Sequence, residues 1–197
     1  MIVIGLTGSI GMGKSTVARQ CALLGAKTLN SDAVVHRLMQ RSGRAFAAVS
    51  SAFPAAVEGG IIDRKKLGAI VFADEKKLKN LEAILHPLVI EEEKKFAAAQ
   101  KKLGTKIVVL DIPLLFETGD DARMDMTLVA SAPVFIQAQR VLARPNMTRE
   151  KLAQIRKKQM PDREKRKRAD FIVHTSLGKA ASMRQIKILW EMLRENA

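Results

Sequence analysis

Met1-Ile2-Val3-Ile4-Gly5-Leu6-Thr7-Gly8-Ser9-Ile10-Gly11-Met12-Gly13-Lys14-Ser15-Thr16 is the stretch that decides the fold. Its first seven residues are apolar and rich in β-branched side chains, which predicts a buried strand. The glycines that follow fit the spacing G-x-x-x-x-G-K-[ST], which needs backbone without Cβ atoms so that N–H groups can close on phosphate oxygens. Beyond Lys14, apolar residues at Val17, Cys21 and Leu24 recur at helical spacing and Gly25 closes the run, predicting a helix from Lys14 to about Leu24. A strand, a glycine loop and a helix in that order put the positive end of the helix against an anion. Lys14 then supplies a point charge to the β- and γ-phosphates, and the Ser15 hydroxyl is the candidate Mg²⁺ ligand. The stretch predicts binding of a nucleoside triphosphate, with Gly8, Gly11, Met12, Gly13, Lys14, Ser15 and Thr16 as the contacting residues.

Outward from the loop, Lys27-Thr28-Leu29-Asn30 reads as a second strand, and Ser31 or Asp32 as the cap of a helix through Val34, Val35 and Leu38. An acid just past a strand beside a phosphate loop is where α/β folds place catalytic groups, so Asp32 has two readings, helix cap and general base. From Gly43 to Gly104 the pattern is helical, with a Gly59-Gly60 turn and an interruption at Pro87, and no strand is expected there. About sixty residues without a strand exceed an ordinary crossover and predict an inserted helical subdomain. His86, just before Pro87, reads either as a local hydrogen-bonding group or as a functional residue.

Lys106 to Asp111 returns to a continuous apolar strand ending in an acid, the form of a Walker B strand. Ile112-Pro113-Leu114-Leu115-Phe116-Glu117 is unusually apolar for a connection, so it packs internally or lines a pocket. Met126 to Ala130 reads as another parallel strand, and Pro133 opens a helix through Arg140 and Leu142. Arg140 and Arg144 share one helix face and form a candidate clamp for a transferring phosphoryl group. Phe171-Ile172-Val173-His174 reads as the last strand and Lys179 to Arg194 as the closing helix.

Of 197 residues 47% are hydrophobic, enough for a buried core in one domain with insertions. The single cysteine, Cys21, falls on the apolar side of the first helix, where packing is its expected role. The sequence shows no leader pattern and no apolar run of membrane-spanning length, and a cytoplasmic protein is expected. Twelve basic and four acidic side chains between residues 137 and 170 give a net +8 of the chain's formal +14. Nucleic acid is one reading of such a stretch. Aromatic residues make up only 4% of the chain and none lies between Phe135 and Phe171, which argues against a base-stacking platform. A segment that closes over polyphosphate accounts for the same charges, and the expected partners are small molecules, with no nucleic acid and no membrane. A monomer or small homo-oligomer is expected.

Taken together these stretches resemble the dephospho-coenzyme A kinase family. The opening Gly5-Leu6-Thr7-Gly8 and its loop, Ser31-Asp32-Ala33 through His36, Ile62 to Leu67, Ile70-Val71-Phe72, Leu85-His86-Pro87, Pro113-Leu114-Leu115-Phe116-Glu117, Gln159-Met160-Pro161 and Arg168-Ala169-Asp170-Phe171 are similar to the family's characteristic runs. The resemblance implies an α/β fold: a parallel-sheet P-loop NTPase core with helices on both faces (residues 1–35, 103–136 and 169–197), a helical substrate subdomain (36–102) and a basic lid (137–168). It implies ATP and Mg²⁺, and phosphorylation of the ribose 3′-hydroxyl of dephospho-coenzyme A. Asp32 becomes the expected base, with Lys14 and Arg140 as further catalytic groups. Arg144 is expected on the ATP phosphates, and His86, Leu115 and Glu117 in the acceptor pocket. Asn30 replaces the first Asp of the family's D-x-D. Arg144-Pro145-Asn146 and His174-Thr175-Ser176-Leu177-Gly178 also depart from the usual pattern. The rivals are a P-loop kinase for another small metabolite and a nucleic-acid-binding NTPase.

Overall fold

The computed structural model describes residues 1–195. Contacts divide the chain into two compact units, residues 1–29 with 99–197 and residues 30–98.

The first unit is built on a five-stranded sheet. Its strands are β1 (Ile2–Thr7), β2 (Lys27–Asn30), β5 (Ile107–Asp111), β6 (Met126–Ser131) and β7 (Phe171–His174), in the order β2-β5-β1-β6-β7. β1 is central and pairs in parallel with β5, Ile4 opposite Val109, and with β6, Leu6 opposite Leu128. β6 pairs in parallel with β7, Ala130 opposite Val173. Side chains alternate along each strand, so Ile4, Leu6, Val109, Leu128, Ala130 and Val173 share a face. That face packs on Val17 and Cys21 of α1 (Lys14–Leu23) and on Ile186, Leu189 and Trp190 of α9 (Gly178–Glu195). Both faces of a parallel sheet must be covered, which is why these strands are continuous apolar runs. On the other face, Gly5 lies under Leu115 and Met124, and a Cβ there would meet Met124 Cγ at 2.7 Å and Leu115 Cδ2 at 2.9 Å. The 112–117 segment is apolar because it packs internally: Ile112, Leu115 and Phe116 are all buried.

After β6 the chain forms α6 (Val134–Leu142), α7 (Arg149–Lys158) and α8 (Asp162–Arg168). Thr148 caps α7 by accepting from the Lys151 N–H, and α8 packs against β6.

The second unit contains α2 (Ser31–Leu38), α3 (Phe46–Ala52), β3 (Val57–Glu58), β4 (Ile61–Ile62), α4 (Arg64–Phe72) and most of α5 (Glu75–Lys102). Its interior holds Val34, Leu38, Val49, Phe53, Leu67, Val71, Leu85 and Val89. Two expectations are corrected here. The Gly59-Gly60 turn joins two short strands, β3 and β4, in an antiparallel hairpin, so the region is not strand-free. Pro87 does not divide two helices either: α5 runs unbroken for 28 residues with Pro87 inside it. Packing along its length, through Leu85 and Val89, outweighs the missing N–H and the ring clash of one proline. No helix among the described residues is long and apolar enough to cross a membrane.

Candidate active site

The glycine loop leaves the C-terminal end of β1 and runs into α1 as expected. Gly13 is the N-cap of α1 with φ 89°, a left-handed conformation that favours glycine, and a Cβ on it would meet Thr175 Oγ1 at 2.9 Å. Gly11, at φ 76°, leaves room for Val141 Cγ2, which a Cβ would approach to 2.6 Å. No side chain caps α1; the Thr16 N–H turns back to the Gly13 carbonyl at 2.9 Å, which leaves the N–H groups ahead of it for an anion. Ser15 is the second residue of that helix and is exposed.

Several elements hold the loop from behind. Thr175, just past β7, donates its hydroxyl to the Met12 carbonyl at 2.7 Å. The Arg140 guanidinium of α6 donates to Thr175 Oγ1 at 2.9 Å, to the Thr175 carbonyl at 2.6 Å and, more weakly, to the Gly11 carbonyl at 3.4 Å. The Ile10 peptide is held at both ends. Its N–H donates to Gln159 Oε1 at 3.1 Å, and its carbonyl accepts from Gln137 Nε2 at 2.8 Å. Arg156 of α7 in turn donates to Gln137 Oε1 at 2.8 Å.

Lys14 Nζ pairs with Asp111, a nearly fully buried carboxylate at the end of β5. The lysine expected on the phosphates and the acid that ends the Walker B-like strand are thus side by side. An oxygen donor set of the Ser15 hydroxyl and the Asp111 carboxylate matches the hard-ligand preference of Mg²⁺, which usually takes one or two protein oxygens and completes its shell with phosphate and water. The buried Ser9 hydroxyl of the loop has no partner among the described residues, an unused polar group suited to a bound polar ligand.

Glu117 and Leu115 were expected to line the acceptor pocket, and both are engaged internally. Glu117 Oε1 accepts from the Met160 N–H at 2.8 Å, and both its oxygens meet Lys165 Nζ of α8, at 2.9 and 3.1 Å. Lys165 is fully buried and also reaches the Pro113 carbonyl at 3.3 Å. Burial pushes its ammonium below the usual lysine range, while Glu117 acts in the opposite direction. Leu115 is fully buried against Gly5, where it supports the sheet and presents no surface to a ligand. Arg144 is exposed in the break after α6, two residues before Asn146, whose φ is 59°.

Asp32 and His86 belong to the second unit. Asn30, rather than Ser31 or Asp32, is the N-cap of α2, its Oδ1 accepting from the Ala33 N–H at 2.8 Å. That removes the capping explanation for Asp32, which lies exposed in the first turn of α2. Asn30 can do this because capping needs an acceptor oxygen, not a charge. Ser31 instead donates to Glu93 at 2.5 Å. His86 is half-buried within α5.

Thr175, Gln137 and Lys165 are the residues that sequence reasoning missed. Thr175 is separated from Met12 by 163 positions, and Lys165 stands in a charged run that reads as a solvated face. Only the departure from the family pattern around His174 drew notice to that turn.

The family model described as dephospho-CoA kinase matches residues 2–180. A dephospho-CoA kinase of Mesorhizobium japonicum is 52% identical over 194 residues, covering 98% of each chain. One from Rhodospirillum rubrum is 50% identical over 196 residues, covering 98% of this chain and 92% of that one. Among solved structures, a Thermus thermophilus protein superposes with a TM-score of 0.85 at 37% identity, covering 100% of this chain and 98% of that one. The dephospho-CoA kinase of Campylobacter jejuni gives 0.62 at 25% identity, with 96% of each chain covered. Shikimate kinase from Acinetobacter baumannii, at 0.56 and 21% identity over 99% of this chain and 94% of that one, shares the fold. With its glycine loop, its parallel sheet and near end-to-end identity of about half to these enzymes, the chain belongs to the dephospho-CoA kinase family.

Proposed function

We propose that this enzyme transfers the γ-phosphoryl group of ATP to the ribose 3′-hydroxyl of dephospho-coenzyme A, giving coenzyme A and ADP in the final step of coenzyme A biosynthesis. The observation that carries the reading is the family match from residue 2 to residue 180. The loop geometry supports it, because a glycine N-cap, a helix N-terminus with no side-chain cap and a lysine beside a buried carboxylate suit a polyphosphate.

In the step itself the acceptor oxygen bonds to the γ-phosphorus, the bond from that phosphorus to the β,γ-bridging oxygen breaks, and the hydroxyl proton passes to a carboxylate. Asp32 takes that proton. Its carboxylate is exposed and relieved of capping by Asn30. Proton transfer comes late, when the attacking oxygen has become acidic, so Asp32 needs no unusual affinity for it. Lys14 leaves Asp111 for the phosphates and stabilises charge on the transferring group. Ser15, with the Asp111 carboxylate that Lys14 vacates, would hold Mg²⁺, which would neutralise charge on the polyphosphate. Arg144 contributes from the basic lid. His86, Glu117 and Leu115 are the further residues assigned to the acceptor, the last two through their internal packing. Arg140 acts from behind the loop, through Thr175.

Coupled detection of ADP tests the reading. Turnover with dephospho-coenzyme A should exceed turnover with nucleoside monophosphates, shikimate or sugar acids by several orders of magnitude, the range open to a site that hydrogen-bonds its own substrate. Equal or faster turnover with another acceptor would overturn it.

A further inference from the structure

Behind the phosphate loop a single hydroxyl meets three parts of the fold. Thr175 is 6% exposed. Its N–H extends the β6–β7 pairing by donating to the Ser131 carbonyl at 2.9 Å, which fixes its backbone. Its Oγ1 has one proton to give, and two acceptors are near: the Met12 carbonyl at 2.7 Å and the Ser131 carbonyl at 3.4 Å. The shorter contact takes the proton. Arg140 then donates into the same oxygen and into the Thr175 carbonyl, a two-point fork that fixes the rotamer and strengthens the bond the hydroxyl makes onward.

A trans peptide holds its C=O and the following N–H pointing in opposite directions. Tying the Met12 carbonyl back to Thr175 therefore turns the Gly13 N–H the other way, toward the side where phosphate is bound. The missing Cβ of Gly13 is what lets Thr175 come so near, since a Cβ would stand 2.9 Å from its Oγ1. The expected direct clamp of Arg140 on phosphate is replaced by an indirect one: its fork is engaged on Thr175.

We infer that Thr175 is a positioning residue for nucleotide binding, aiming the Gly13 amide at the polyphosphate, and that Arg140 works through it. The inference rests on the proposed binding of ATP at this loop, without depending on the identity of the acceptor. A second readout follows from the peptide geometry: the Gly13 amide proton and nitrogen resonances report the orientation of that unit directly.

Mg-ATP binding by calorimetry, with the Gly13 amide followed by NMR, provides the test on the full chain. Thr175→Val keeps the shape and removes the hydroxyl. It should weaken Mg-ATP binding about tenfold, the usual worth of one charge-assisted hydrogen bond, and displace the Gly13 resonance. Thr175→Ser should restore binding to within about twofold, because the bond to Met12 survives. Arg140→Met should also cost about tenfold, and the double variant no more than the worse single one, because the two act in series. KM for the acceptor should stay unchanged throughout. Wild-type binding and an unmoved Gly13 signal in Thr175→Val overturn the inference, as does a double variant weakened about a hundredfold, which would mean independent action. If valine prevents folding, Arg140→Lys, which keeps the charge and loses the fork, takes its place, and unchanged binding there likewise overturns it. Failure of the wild-type chain to bind Mg-ATP at all would refute the proposed function instead.

Discussion

Lys165, with no exposed side-chain surface, places its ammonium 2.9 Å from Glu117 Oε1. Since Glu117 Oε1 also accepts the Met160 N–H, this pair fastens α8 and the turn before it to the segment that covers the sheet. Buried pairs are weak evidence of net stabilisation, but removing one half strands the other charge. Lys165→Met should lower the unfolding free energy by about 3–5 kcal/mol, and adding Glu117→Gln should recover much of it. Denaturant titration of both variants checks this; a lysine variant as stable as wild type would refute it.

The same lysine predicts a pH dependence. Burial lowers its folded-state pKa below the unfolded value, so the unfolded chain binds more protons between the two. The burial penalty on the charged form is fully present below the folded pKa and is relieved as pH rises toward the ordinary lysine value. The stability of wild type relative to Lys165→Met should therefore rise through the alkaline range just below the usual lysine pKa. Paired denaturation curves at several alkaline pH values measure it, and a falling difference would reverse the sign.

Features held in a few consecutive residues were legible in the sequence. The strand, loop and α1 follow from apolar spacing and glycine positions, and α9 from Met183, Ile186, Leu189 and Trp190, of which the last three are buried. Two-residue strands such as β3 and β4 carry no periodicity, so their glycine turn is visible and their pairing is not. Arg140 and Glu117 were identifiable as residues of consequence, but what each faces depends on partners 35 and 48 positions away. A lysine in a charged run looks solvated until a carboxylate elsewhere in the fold claims it.

Pro87 is a further case of tertiary packing overriding local preference. Its ring occupies an exposed position inside α5 and leaves the Ala83 carbonyl without its i+4 donor. Pro87→Ala restores that donor and should stabilise the fold by about 1–3 kcal/mol. A loss of stability on urea denaturation would mean instead that neighbouring packing requires the proline's local bend.

Cys21 is buried between α1 and the sheet, and burial pushes its thiol up to about 12. At pH 8 only about one in ten thousand such thiols is ionised, and the thiolate is the reactive form. Native protein should therefore be inert to a thiol-exchange reagent, and one equivalent should react once guanidinium unfolds it. Prompt reaction of the native protein would contradict the burial of α1 against the sheet.

Asp32 carries the sharpest kinetic prediction. Asn30 already caps α2, so removing the charge at position 32 should leave the helix and the fold intact. Asparagine keeps the shape and a hydrogen-bonding oxygen but cannot accept the acceptor's proton. Asp32→Asn should thus lower kcat by at least about a hundredfold, the usual worth of a positioned base, with thermal stability and Mg-ATP binding nearly unchanged. Lys14→Ala should differ, with both Mg-ATP binding and turnover collapsing, because the role proposed for its ammonium is on the phosphates themselves. Near-normal turnover in Asp32→Asn would remove that carboxylate from the chemistry. A matching fall in Mg-ATP affinity would assign it to nucleotide binding rather than to proton transfer.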